Sequence, residues 1–363
     1  MQNGMARRVL PRALLVCPGR GSYNAAEIGT LGRLPKSSES VWRPLVVAAD
    51  TRCGGAQLRS ISSLDGEPKL SKALHFDPSH ASSLIYTLAA AECAALRAED
   101  RWEPIGIVGN SLGWYTAAHL AGCISFERGL DIVLATSSFQ RSVGAVGGQI
   151  VYPTLDDEWK EGDGELRRRV EAALAAANAK GFASLSIDLG GMAVLAADDK
   201  GLAALKENLP AMSRSNVVYP LELPGHSAFH TPLMAPMADH VRALQAAEGP
   251  FDLPELPLVD GSGRVWRPGS DRQAAWMPQE MLDYTLGEQI IRPYHFGQSL
   301  EIALMEWDPD VIVLLGPGAS LGGTIGQVLS RIGWRGVRSK ADFTEAQRSD
   351  KPLLITSPTA RKS

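Results

Sequence analysis

Cysteine is scarce, and its four copies are scattered. Cys17, Cys53, Cys93 and Cys123 form no CxxC pair and no Cys/His spacing that would hold a metal. A disulfide framework is therefore not expected, and buried thiols in a reducing compartment are. An excess of positive charge is missing too. Lys and Arg number 36 against 40 Asp and Glu, for a formal net charge of −4, which gives no basic surface for nucleic acid. No apolar run approaches the length of a transmembrane helix. Residues 6–17 are basic and then apolar, but Pro11 and Arg12 interrupt the run and Pro18-Gly19 ends it. A signal peptide needs a longer apolar core and a small-residue cleavage site. The expected location is the cytoplasm, with no membrane partner.

What is present is a chain of 363 residues, 45% hydrophobic and 21% charged, enough for a large α/β domain with a smaller insert. Short apolar runs at 13–17, 105–108 and 311–315 read as buried parallel strands, each followed by a Gly-rich turn and a helix-like segment. The Ala-rich stretch 84–97 reads as a helix. From about 145 to 222 the pattern changes. A strand at 148–152, a helix at 165–180, strands at 183–188 and 192–196, a helix at 200–208 and a strand at 217–223 give a β-α-β-β-α-β order. That is the ferredoxin-like arrangement. The expected organisation is an α/β-hydrolase-like core with a parallel sheet, built discontinuously from 13–144 and 223–338. A ferredoxin-like subdomain at 145–222 is inserted into it, and a polar C-terminal tail follows at 339–363.

Gly109-Asn110-Ser111-Leu112-Gly113 is a GxSxG sequence between the predicted strand 105–108 and an apolar, Ala-rich segment at 115–121. The two glycines permit a tight turn that pushes a serine hydroxyl out of the backbone. The following helix start offers free N–H groups to a developing oxyanion. A nucleophilic serine also needs a base. Spacing alone does not choose among His75, His80, His119, His226, His230, His240 and His295. His226 and His230 share a loop-like segment, and loops beside a sheet often carry such groups. An ordinary hydrolase triad of Ser111, Asp260 and His295, in that chain order, is an alternative. Without a base and a competent site, the chain would be a catalytically silent binding partner.

Four ordered segments resemble the malonyl-CoA:acyl-carrier-protein transacylases and the acyltransferase domains of polyketide synthases. Val16-Cys17-Pro18-Gly19-Arg20-Gly21-Ser22 is similar to the family's FPGQGSQ. Residues 108–126 are similar to GHSLGEYTA…AGALSF. Ala228-Phe229-His230-Thr231-Pro232-Leu233-Met234 is similar to AFHSPLM, and 289–296 with Leu315-Gly316-Pro317-Gly318 to QL..PVRF and VGPG. The resemblance implies ping-pong acyl transfer through an ester on Ser111, with His230 as general base. It implies an oxyanion hole from the backbone N–H groups of Leu112 and Arg20, and a main-chain carbonyl of Gln289 that holds the histidine. It implies no metal and no redox cofactor. Acyl-CoA enters as a substrate and an acyl carrier protein as the partner. If water reached the ester instead, the same machinery would be a thioester hydrolase.

Four positions depart from the family pattern, and the expected substrate pocket is Asn110, Trp114, Thr136 and Phe229. Thr136 stands, by ungapped counting from Ser111, where malonyl-specific members carry an Arg for the malonate carboxylate, and Arg141 lies further along. Ordinary malonyl specificity is therefore not expected. Arg20 replaces the family's Gln; either only its backbone N–H matters, or its side chain supplies the missing cation from the opposite wall. Asn110 replaces His and could keep a hydrogen bond that orders the turn, and Trp114 replaces Glu or Gln; Trp114 either lines the pocket or packs beside it. Phe229, just before the histidine, goes in the family with acyl groups unbranched at C2. Arg167, Arg168 and Arg169 open a predicted helix, either as a solvated face or as a docking patch for an acidic carrier protein.

Overall fold

A computed structural model describes residues 10–214, 217–269 and 275–356. Its strands, in chain order, are β1 (Arg12–Cys17), β2 (Glu103–Gly109), β3 (Gly148–Pro153), β4 (Ala183–Asp188), β5 (Met192–Ala197), β6 (Met212–Arg214), β7 (Val217–Tyr219), β8 (Leu221–Glu222), β9 (Leu258–Val259), β10 (Val265–Trp266), β11 (Val311–Leu314) and β12 (Leu354–Thr356).

The main sheet runs β10-β9-β2-β1-β11-β12 and is parallel except for β10, which pairs antiparallel with β9. β1 and β11 are almost wholly apolar and buried, because helices cover both faces of such a sheet. Helix Pro78–Ala98 is the longest cover. Asp77 caps it by accepting from the Ser79 and His80 N–H groups, and Pro78 occupies its first turn. Its alanines let it pack closely against helix Phe126–Val143.

The second sheet runs β4-β5-β3-β8, every pair antiparallel, with helices Glu165–Asn178 and Asp199–Asn208 packed on it. Ile150, Tyr152, Val170, Ala173, Leu195 and Leu205 form its own buried core. The fold is thus mixed α/β, with a parallel sheet and an inserted small subdomain. The strand read at 217–223 is broken in two. β7 turns back on β6, and only Leu221 and Glu222 join β3. Pro220 sits between them and has no N–H to give a ladder.

The tail expected from 339 is corrected up to 356. Ser339 caps helix Lys340–Arg348, and β12 then pairs in parallel with β11 at the edge of the main sheet. The apolar run of residues 353–355 is too short to carry a period, so only pairing with β11 reveals it. Residues 357–363 lie outside the described residues. Among the described residues, no helix is long and apolar enough to cross a membrane.

Candidate active site

β2 ends at Gly109, and the chain turns sharply into helix Gly113–Leu120. The turn is closed by Gly113 N–H donating to Asn110 O at 2.8 Å and Trp114 N–H to Ser111 O at 2.9 Å. A Cβ on Gly109 would lie 2.3 Å from the Gly113 carbonyl, and one on Gly113 2.2 Å from the Cys17 carbonyl oxygen. Both glycines are therefore fixed by contact, not by taste for flexibility. Ser111, between them, has φ 53°. A non-glycine residue held there stores strain, which the surrounding structure must impose.

His230 also holds a positive φ, 60°, as do Gln57, Asp100, Trp159, Asp308 and Arg335 elsewhere among the described residues. Its Nε2 lies 2.7 Å from Ser111 Oγ, and its Nδ1 lies 2.7 Å from the Gln289 carbonyl oxygen. A carbonyl only accepts, so Nδ1 carries the proton and Nε2 is left to accept from the serine. Gln289 follows a π-helical turn, Tyr284–Glu288. The residue one α-helical step beyond its carbonyl is Pro293, which has no N–H, so that carbonyl is free for the histidine. The Gln289 side chain is also used: Oε1 accepts from Tyr115 Oη at 2.9 Å, and Nε2 donates to Ser111 O at 3.1 Å. Burial pushes the His230 imidazole down to about 4, with the Gln289 carbonyl pulling it back up. It is neutral near pH 7 and able to accept a proton. The backbone N–H groups of Leu112 and Arg20 have no acceptor among the described residues.

Comparison with known proteins bears on the fold. No family model matches the chain. Mycoketide-CoA synthase of Mycobacterium tuberculosis is 30% identical over 161 residues, 44% of this chain and 3% of that protein. Polyketide synthase GfsB of Streptomyces halstedii is 26% identical over 278 residues, 75% of this chain and 4% of that protein. The chain thus spans a few per cent of the length of these curated relatives. Among solved structures, an acyl-carrier-protein S-malonyltransferase from Burkholderia pseudomallei 1710b superposes with a TM-score of 0.71 at 19% identity, covering 96% of this chain and 97% of that one. A type II polyketide-synthase acyl-carrier protein in complex with its malonyl-transacylase gives 0.69 at 18% identity, covering 88% and 93%. The chain has the malonyl-transacylase fold.

On that transacylase fold, the cavity at Ser111 has a volume of about 40 Å3. Arg20, Leu112, Thr136, Phe229, His230 and Gln289 line it, as do Ser82, Tyr115, Ser137, Gln140, Met237 and Ile290. The second group escaped the sequence reading. Gln140 was within reach of it, since it lies one helical turn from Thr136 on the same face. Two expected pocket residues are corrected. Asn110 is buried in the turn behind the serine, and its backbone carbonyl packs against Gly19. Trp114 is fully buried, donates to Thr285 Oγ1 at 2.9 Å and packs edge-on against Tyr284 at 5.2 Å. Neither lines the cavity. Thr136 does, but its hydroxyl donates to Val133 O at 2.8 Å inside its own helix.

The alternative triad is not assembled. Asp260 is buried and accepts from Ser262, Arg264 and Trp266, and the partner of Ser111 is His230, not His295. Arg167, Arg168 and Arg169 are each paired with a nearby acid, Glu161, Asp163 and Glu165 respectively. Among the described residues, no group of three or more His, Cys, Asp or Glu side chains could hold a metal ion.

Proposed function

We propose that the chain is a serine acyltransferase that moves an acyl group from a thioester of coenzyme A to the phosphopantetheine thiol of an acyl carrier protein, through an ester on Ser111. The observation that carries this reading is the relay Ser111 Oγ, His230, Gln289 carbonyl, with 2.7 Å at each step. His230 Nε2 takes the hydroxyl proton as Oγ bonds to the thioester carbonyl carbon. The C–S bond breaks, and the leaving sulfur takes that proton from the imidazolium. The carrier thiol then attacks the ester by the same steps in reverse order. The Leu112 and Arg20 N–H groups supply the oxyanion contacts. The Gln289 carbonyl replaces an acid as the third member: it fixes the tautomer without adding a negative charge. The carrier-protein complex among the solved structures of this fold supports the choice of partner.

The test is intact mass after incubation with malonyl-, acetyl- and longer acyl-CoAs, and with the same acyl groups on a carrier protein. An adduct that Ser111→Ala abolishes, and that a holo-carrier protein discharges, is the expected result. Rapid release of free CoA without an adduct would replace transfer by hydrolysis. Neither adduct nor release from any donor would sink the enzymatic reading.

A further inference from the structure

Gln149, Ser186 and His226 form a chain of polar side chains that the transfer steps leave unused. Gln149 lies on β3 and Ser186 on β4, with β5 between them. Leu185 pairs with Leu195 and Ile187 with Val194, so Ser186 is an extra residue in β4. A bulge of this kind re-aims the side chain it carries. Ser186 and Gln149 are 0% and 2% exposed. Polar groups buried so deeply cost stability unless they are hydrogen-bonded, and both side chains have a partner at each polar atom.

The direction of the chain follows from its last member. The Phe229 carbonyl only accepts, so the one hydroxyl proton of Ser186 goes to it, at 2.9 Å. Gln149 must then donate to Ser186 Oγ through Nε2, at 2.6 Å, which turns its Oε1 toward His226. His226 Nδ1 lies 2.8 Å from that oxygen and therefore carries a proton. Burial, with Arg20 and His230 near, pushes the His226 imidazole well below its usual range, so it is neutral near pH 7. The chain acts on the Phe229–His230 peptide. The carbonyl of that peptide accepts from Ser186 Oγ, and its N–H donates to Ile290 O at 2.9 Å. A peptide group is planar and rigid, so holding both ends fixes the plane from which the His230 φ is measured. That φ is 60°, a conformation that persists in a non-glycine residue only where its surroundings impose it. With the carbonyl released, the residue can relax toward negative φ, and its imidazole turns away from Ser111.

We infer that His226 is a positioning residue for the general base: through Gln149 and Ser186 it holds the Phe229–His230 peptide in the orientation that brings His230 Nε2 to Ser111. The effect on rate rests on the acyltransferase reading above; the effect on the His230 ring does not.

The experiment follows Ser111 ester formation over a range of concentrations of the acyl donor that labels Ser111 fastest. It compares the unaltered protein, His226→Phe, His226→Asn, Gln149→Met and the double variant of His226→Phe with Gln149→Met. His226→Phe keeps a ring but removes the Nδ1 donor. It should lower the maximal rate about tenfold and leave the half-saturating concentration within about twofold. His226→Asn presents an amide N–H where the Nδ1 proton stood and should restore most of the rate. Adding His226→Phe to Gln149→Met should cost little more than Gln149→Met alone, since the chain is already broken. A second readout needs no turnover: by NMR the His230 imidazole, at about 4 in the intact chain, should titrate nearer 6.5 in His226→Phe as the ring reaches water. A rate that His226→Phe leaves alone, losses that add in the double variant, or an unmoved His230 titration overturns the inference and leaves acyl transfer intact. If no donor acylates the unaltered protein, the acyltransferase reading falls and the NMR titration by itself decides the positioning role. Circular dichroism checks the folding of each variant, and Gln149→Met, measured the same two ways, carries the test if His226→Phe does not fold.

Discussion

Ser111 and His230 are the two residues of the relay, and both hold left-handed backbone without being glycine. Strain at both members of the reacting pair fits pre-organisation. The same burial that creates the relay sets its response to acid. His230 titrates near 4, against an ordinary value of 6.5. Its folded value is lowered, so the stability it contributes is complete above pH 6.5 and is lost as pH falls through 4. The acylation rate should follow the neutral imidazole: flat from pH 8 down to about 5, then falling. A stopped-flow pH profile of ester formation checks this, and a midpoint near 6.5 would mean that the imidazole is not desolvated in solution.

At the level of elements, the strand-to-helix turn and the edge strand are built on opposite principles. The turn is local: Gly109 and Gly113 are required because neighbouring carbonyls occupy the space of a Cβ. β12 is non-local, and it exists because β11 offers an unpaired edge. An exposed edge invites pairing with another chain. A chain ending at Asp350 should therefore keep the Ser111 turn but melt at lower temperature and aggregate on heating. Differential scanning calorimetry with light scattering reads both, and an unchanged melt would deny β12 a part in stability.

Across the whole molecule, the histidine is delivered by the second sheet. The small subdomain and its flanks grip the loop before His230: Ala228 N–H donates to Val146 O, Val146 N–H to Ser227 Oγ, and Ser186 Oγ to Phe229 O at 2.9 Å. Gln149 Nε2 donates to Ser186 Oγ at 2.6 Å, and Gln149 Oε1 meets His226 Nδ1 at 2.8 Å. The strand that carries Ser186 also joins the main-sheet side through Tyr294. Ser186→Ala leaves the Phe229 carbonyl and the Gln149 amide short of a partner. It should cost about 1–3 kcal/mol of stability and slow Ser111 acylation several-fold, since His230 follows Phe229 directly. Chemical denaturation and ester-formation rates measure the two effects. Lost stability with an unaltered rate would make the subdomain a passive cover.

The sequence by itself determined what short-range patterns encode: the apolar strands β1, β2 and β11, the β-α-β-β-α-β order of the insert, and the Gly-flanked turn at Ser111. These depend on period, on glycine and on proline, which act within a few residues. Only the tertiary structure decided what depends on residues far apart in the chain. Spacing alone left His230 open among seven histidines and only the family resemblance named it; packing is what sets its Nδ1 2.7 Å from the Gln289 carbonyl oxygen. Trp114 sits next to the GxSxG motif but points into the core, because helical rotation turns it toward Thr285. The Arg20 side chain has its partners only because Gln140, Gly225 and Phe229 close around it. A side chain's partners are set by packing between distant segments, and no local pattern carries that information.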